Sequence, residues 1–173
     1  MEKKIDSSLK YNGNILKVYE DHIVTENGVK SVREIIKHTK GVCVAVKDDD
    51  GKYFVVKQYR YALSREMIEF CAGKVDGNED VDVAVVRECE EELGIVLRNL
   101  RKLGTIIPAC GYCDEELHLY YAEVGERKKQ HFDDDEFLTV HKYSLDELNK
   151  MVDEGIIDDG KTVALMYYLG RNK

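Results

Sequence analysis

The sequence predicts an α/β domain, a mixed sheet enclosed by helices. Three observations carry this expectation. Two apolar runs, Gly41 to Val46 and Tyr53 to Tyr59, flank Asp50-Gly51 and read as a hairpin. Strand-like runs recur at Arg101 to Ile107, Glu116 to Glu123 and Glu136 to Tyr143. Helical segments with clear end signals fall between and after those strands.

Taken in order, residues 11–38 alternate in a strand-like way around a turn at Glu26-Asn27-Gly28. Glu66 to Phe70 is a short extended piece. An apolar stretch then leads into Arg87-Glu88-Cys89-Glu90-Glu91-Glu92-Leu93, and Gly94 suits the end of a helix. Ser144-Leu145-Asp146-Glu147 is a capping box that opens a second helix. Asp158-Asp159-Gly160 precedes a last apolar helix, Lys161 to Leu169. The chain divides into an amino-terminal β-segment, residues 1–40, and a main domain, residues 41–173.

Composition limits the function classes. A chain of 173 residues with 43% hydrophobic content can bury a substantial core. The net charge of −8 argues against general nucleic-acid binding. No apolar run approaches the roughly 18 residues of a membrane span, and Met-Glu-Lys-Lys-Ile-Asp leads into no signal-peptide core. Five cysteines without a secretion signal fit reduced thiols in a cytoplasm. Cys110-Gly111-Tyr112-Cys113 is a single CxxC with no second pair, weak evidence for zinc, and reads as ordinary loop cysteines.

The acidic helix carries the chemistry. Glu88 and Glu92 are spaced i,i+4 and Glu91 lies beside them, so the carboxylates share one face. Like charges this close repel. Val86, Cys89 and Leu93 form an apolar stripe expected to pack on the other side. Taken alone, a Glu-rich helix is a solvated charged face. Concentrated carboxylates also suit a hard divalent cation such as Mg²⁺, which takes few protein oxygens and leaves the rest to water or phosphate.

More than the helix is present. Gly73, Glu79, Arg87, Glu88, Glu91, Glu92, Gly94 and Ile95 fit the pattern Gly-x5-Glu-x7-Arg-Glu-U-x-Glu-Glu-x-Gly-U, where U is a bulky aliphatic residue. This resembles the signature of the Nudix hydrolases. Cys89 departs from the usual aliphatic residue there, but a buried cysteine behaves as a small hydrophobe. The resemblance implies a Nudix-type α/β/α sandwich and hydrolysis of a nucleoside diphosphate linked to another moiety, with Mg²⁺ or Mn²⁺. The flanking Gln58-Tyr59-Arg60-Tyr61, Met67 to Asp76, Gly111 to Tyr120 and Gly155 to Thr162 are similar to the ADP-ribose pyrophosphatase branch. Cys71 and Cys110 stand where that branch has prolines, so the sugar and the base are left open.

The resemblance implies roles residue by residue. Glu88, Glu92, Glu136 and the Ala72 carbonyl would hold metal. Glu91 would be a further ligand or act through metal-bound water, and Glu69 is a lesser candidate. Arg87 would form the ion pair that orients the carboxylates. Asp134, in the acidic run Asp133-Asp134-Asp135-Glu136, falls at the position of the general base, though it is one methylene shorter than the usual Glu. Arg33 and Arg60 would take phosphate oxygens. Gly111 and Tyr112 would shape the ribose pocket. By residue type alone, Tyr11, Tyr59 and Tyr61 are candidates to stack on a base, though a tyrosine is more often simply core or surface. The implied partner is a nucleoside diphosphate sugar, with a second copy of the chain making a homodimer through the amino-terminal segment. The alternatives are a Nudix-fold sensor that binds ADP-ribose uncleaved, or a hydrolase for another substrate such as GDP-mannose.

Overall fold

The computed structural model describes residues 1–131 and 137–171. The chain forms two compact units, Met1–Lys40 with Ile107–Glu116, and Gly41–Ile106 with Leu117–Lys173.

The first unit is an antiparallel sheet of β1 (Lys3–Asn12), β2 (Leu16–Val24) and β3 (Lys30–His38) in that order. Gly28, at φ +82°, makes the β2–β3 turn, a conformation glycine adopts without a Cβ penalty. Strand β1 begins ahead of the alternation visible in the sequence. Every one of its residues is exposed, so it has no half-buried pattern to read. The segment Ile107–Glu116 docks on β3, where Ile36 N–H donates to the Tyr112 carbonyl at 2.7 Å.

The second unit holds the remaining strands: β4 (Gly41–Lys47), β5 (Tyr53–Arg60), β6 (Arg65–Glu69), β7 (Cys71–Lys74), β8 (Ile95–Ile106), β9 (Leu117–Arg127) and β10 (Leu138–Tyr143). Its main sheet runs β10-β5-β4-β9-β8, with β6 added to β5 and β7 to β4. Strands β4 and β9 are parallel and the other pairs antiparallel, so the sheet is mixed. The β4–β5 hairpin pairs only at Lys47 and Tyr53. Beyond that tip β4 takes β7 and β9 as neighbours, while β5 takes β10 and β6.

Strand β4 is buried from Gly41 to Val46, as expected of a central strand covered on both faces. Its side chains alternate between two cores. Val42, Val44 and Val46 pack with Ala84 and Val85 of helix α1 (Val81–Glu88). Cys43 and Ala45 pack with Leu148 of α2 (Leu145–Asp153) and with Leu165 and Met166 of α3 (Gly160–Arg171). Helices thus cover both faces of the sheet, the α/β/α arrangement. The Ser144 capping box forms as the sequence predicts, with Ser144 N–H donating to Glu147 and Glu147 N–H to Ser144.

Candidate active site

Helix α1 starts at Asp80, whose carboxylate accepts from Asp82 N–H at 2.8 Å. It continues into one π-type turn, Cys89–Leu93, and stops at Gly94, which has φ +65°. Single π turns recur at functional sites, and this one carries Glu90, Glu91 and Glu92.

The expected facing of this helix needs correction. Its packed side is set by Ala84, Val85, Cys89 and Leu93, while Val86 is only half-buried. Glu88 lies three residues beyond Val85, and Glu92 lies seven beyond it, two turns on. Both carboxylates therefore fall toward the packed side. Glu92 is 3% exposed. A charge buried this deeply is costly unless it is paired or metal-bound.

Gly73 makes room for this arrangement. A Cβ at that position would fall 1.8 Å from the Glu88 carboxyl carbon, so the carboxylate rests on the glycine Cα. Any larger residue displaces it. Arg87 ties the motif together: Nε donates to Glu79 at 3.1 Å, and Nη1 donates to Glu88 at 3.0 Å and Glu91 at 2.9 Å. Its Nη2 donates to Glu79 and to the Lys74 carbonyl. The hydrogen bond to Glu79 is the main reason the Arg87 guanidinium titrates above its usual range, and it holds the Glu79 carboxyl below its own. Glu79, matched only as a pattern position, thus anchors Arg87 in space.

Beneath the motif Cys71 and Cys89 meet, Sγ to Sγ 3.7 Å. The hydrogen bond between them and burial push the Cys71 thiol well up, so it stays neutral and packs as a small apolar group. Cys89 is the position that departs from the Nudix signature and Cys71 one that departs from the ADP-ribose pyrophosphatase branch, and the two side chains are in contact.

Arg60 lies at the end of β5. Its Nε and Nη2 donate to the two oxygens of Glu69 at 2.7 and 2.6 Å. Glu69 is 1% exposed and also receives Lys161. Burial raises its pKa, but Arg60 and Lys161 outweigh that and hold the carboxyl below the usual range. Glu69, a lesser metal candidate in the sequence, is thus engaged by two cations.

Other expected residues belong to the first unit or fall outside the described residues. Arg33 is on β3 of the first unit, where its guanidinium bonds Glu2, the Ser31 hydroxyl and the Val32 carbonyl. Gly111 and Tyr112 are in the same unit, and the Tyr112 ring is exposed. Of the CxxC, Cys110 is exposed and Cys113 partly exposed, both free thiols. Asp134 and Glu136 lie outside the described residues.

The donors around the acidic helix are oxygens, the chemistry a hard divalent cation needs, and the Gly73 cradle admits Glu88. Among the described residues no three acidic, histidine or cysteine groups converge as a complete metal cluster. Arg87 Nη1 lies between Glu88 and Glu91, bonded to one oxygen of each.

Comparison with known proteins identifies the family. The NUDIX domain family model matches residues 37–166. An ADP-ribose pyrophosphatase of Bacillus subtilis (strain 168) is 34% identical over 171 residues, covering 97% of this chain and 92% of the relative. A methanol dehydrogenase activator of Bacillus methanolicus is 35% identical over 171 residues, with the same coverage. A GDP-mannose pyrophosphatase of Escherichia coli (strain K12) is 28% identical over 151 residues, 82% of this chain and 78% of the relative. The crystal structure of an ADP compounds hydrolase shares the fold at a TM-score of 0.89 and 17% identity, covering 98% of this chain and 92% of that one. With most of its length matched by the family model, and with the Arg87 hub and the Gly73 cradle in place, the chain belongs to the Nudix family.

Proposed function

We propose that this Nudix pyrophosphohydrolase cleaves the diphosphate bridge of ADP-ribose or a related nucleoside diphosphate sugar. One water is consumed. Its oxygen bonds to one phosphorus as the bridging P–O bond breaks, giving a nucleoside monophosphate and a sugar phosphate. The observation that carries this reading is the Arg87 hub, which holds Glu79, Glu88 and Glu91 in one hydrogen-bonded cluster beside the buried Glu92. A protein that only bound its ligand would have no need to keep mutually repelling carboxylates in this arrangement.

Mg²⁺, or Mn²⁺, would be held by Glu88, Glu92, Glu136 and the Ala72 carbonyl, and would supply charge neutralisation at the diphosphate and an activated water. Arg87 keeps Glu88 and Glu91 oriented. Arg60 offers guanidinium N–H groups to a phosphate. Asp134 is assigned the proton-accepting role on the attacking water. Arg33, Gly111 and Tyr112 are assigned to the sugar and nucleoside end. The first unit is assigned to homodimer contacts, and the compartment to the cytoplasm.

The test is a panel assay with ADP-ribose, GDP-mannose and related compounds in Mg²⁺. An added phosphomonoesterase releases inorganic phosphate from the product monoesters but not from the intact diphosphate. Metal-dependent phosphate release with at least one compound is expected. Tight binding of ADP-ribose with no release from any compound would favour the sensor reading instead.

A further inference from the structure

A buried ionic circuit joins helix α3 to the strand ends beside the motif, and the acidic helix does not account for it. Lys161, 16% exposed at its side chain, donates to Glu69 and pairs with Asp159 at 3.0 Å. Asp159 accepts from the Thr162 backbone N–H at 3.0 Å and from its hydroxyl at 2.6 Å. The Thr162 hydroxyl in turn accepts from Phe70 N–H at 3.0 Å. The start of α3 therefore grips Glu69 by its side chain and Phe70 by its backbone, just ahead of Cys71 and Ala72.

Arg60 is the most open member of the circuit. The side chains of Glu69 and Lys161 are 2% and 16% exposed, whereas that of Arg60 is 40% exposed. Glu69 takes Nε and Nη2 of Arg60, and Nη1 makes no hydrogen bond to a described residue. Within the circuit two carboxylates, Glu69 and Asp159, face two cations, Arg60 and Lys161, and Glu92 adds a third negative charge acting on Arg60. If Lys161 were neutral, the excess of carboxylates over cations would grow and the open end would repel a diphosphate.

We propose that Lys161 is a positioning residue for the hydrolysis: it fixes Glu69, which fixes Arg60 with one guanidinium nitrogen left for a substrate phosphate. This rests on the assignment of Arg60 to phosphate. Asp159 and Thr162 orient Lys161 and the strand, so the signal in the sequence is Asp159-Gly160-Lys161-Thr162 read together with a glutamate 92 positions earlier. Neither half suggests the other without the fold.

The experiment measures kcat and KM for ADP-ribose in Mg²⁺ with the full chain. Lys161→Met should raise KM by about tenfold, the low end of what a charge-assisted hydrogen bond contributes, with a smaller change in kcat. Lys161→Arg should restore most of the loss. Arg60→Ala should also raise KM, and adding Lys161→Met to it should raise KM little further, because Lys161 acts through Arg60. A merely structural ion cluster would lower the melting temperature of Lys161→Met and leave KM unchanged. Should Lys161→Met fail to fold, Lys161→Gln, which keeps a hydrogen-bond donor but not the charge, replaces it and should show the same KM rise. If Arg60→Ala raises KM while the Lys161 variants do not, or if the two effects multiply independently, Lys161 is not a positioning residue. If Arg60→Ala itself leaves KM unchanged, the phosphate assignment of Arg60 fails instead.

Discussion

At the scale of single residues, the site depends on what is missing from Gly73 as much as on what is present in Glu92. Gly73→Ala places a methyl where the Glu88 carboxyl carbon now sits, 1.8 Å away. The strand can keep its backbone only if Glu88 leaves. Turnover should therefore fall by about a hundredfold, the scale of one lost electrostatic contributor. Far-ultraviolet circular dichroism should be unchanged, and wild-type turnover in this variant would show that the position of Glu88 does not matter. Glu92→Gln tests charge without changing shape. It removes one negative charge from a side chain that is 3% exposed, and turnover in Mg²⁺ should again drop by about a hundredfold or more. Far-ultraviolet circular dichroism should match wild type, because Gln keeps the volume of the buried side chain. A Glu92→Gln enzyme with normal turnover would remove the metal assignment. That Arg87 would tie motif carboxylates together was legible in the residue pattern, because the spacing Arg-Glu-x-x-Glu sets Glu88 and Glu91 within its reach. The facing of Glu88 and Glu92 was not. The apolar positions inside the motif suggested a stripe through Val86, whereas Ala84 and Val85, just upstream, set the packed side. The Arg60–Glu69–Lys161 circuit was invisible for a different reason: two of its members are 92 residues apart, and only the docking of α3 brings them together.

At the scale of elements, strong local chemistry made a segment readable. The Ser144 capping box, the Gly94 stop and the apolar β4 run each satisfy backbone groups or bury surface within a few residues of sequence. They could be placed from sequence alone. Strand β8 was harder. It runs from Ile95, well before the expected Arg101, through register shifts and past Asn99, a non-glycine residue at φ +53°. Such breaks interrupt the period-2 pattern by which a strand is recognised. Strand β1 was missed because none of it is buried. The join between the π turn and β8 gives the prediction at this scale. Gly94 is at φ +65°, and a Cβ there would lie 2.6 Å from the Lys128 carbonyl oxygen. Gly94→Ala meets both a left-handed backbone and a backbone oxygen that cannot swing aside. It should cost about 1–3 kcal/mol in chemical denaturation, the range for a residue held in an unfavourable conformation. A cost within about 0.5 kcal/mol, typical of an inconsequential surface change, would mean that the π turn tolerates another ending.

At the scale of the whole molecule, the first unit raises the question of assembly. Its edge strand β1 is exposed along its length, and Ile5 is 55%, Leu9 49% and Tyr11 59% exposed, with Val32 of β3 at 44%. An edge strand carrying apolar side chains invites pairing with another chain, and two-fold dimers are the commonest assembly. Lys3, Lys4, Asp6 and Lys10 interrupt the apolar positions on the same strand. Such charges discourage indiscriminate stacking and favour one matched partner. Light scattering at micromolar concentration should therefore give a mass twice the 19.9 kDa of the single chain. Leu9→Lys adds a charge where an apolar contact would form, and it should shift the mass toward 19.9 kDa while leaving the second unit folded. Arg33 is a separate question within the same experiment. It shares its sheet face with Asp21 and Ser7 across β2 and β1, and it now holds Glu2. If its guanidinium serves a substrate phosphate, Arg33→Ala should raise KM for ADP-ribose with the dimer mass unchanged. A wild-type protein that scatters as a single chain would end the dimer assignment. A dimer whose Arg33→Ala variant keeps its KM would leave Arg33 as a clamp on the amino terminus and nothing more.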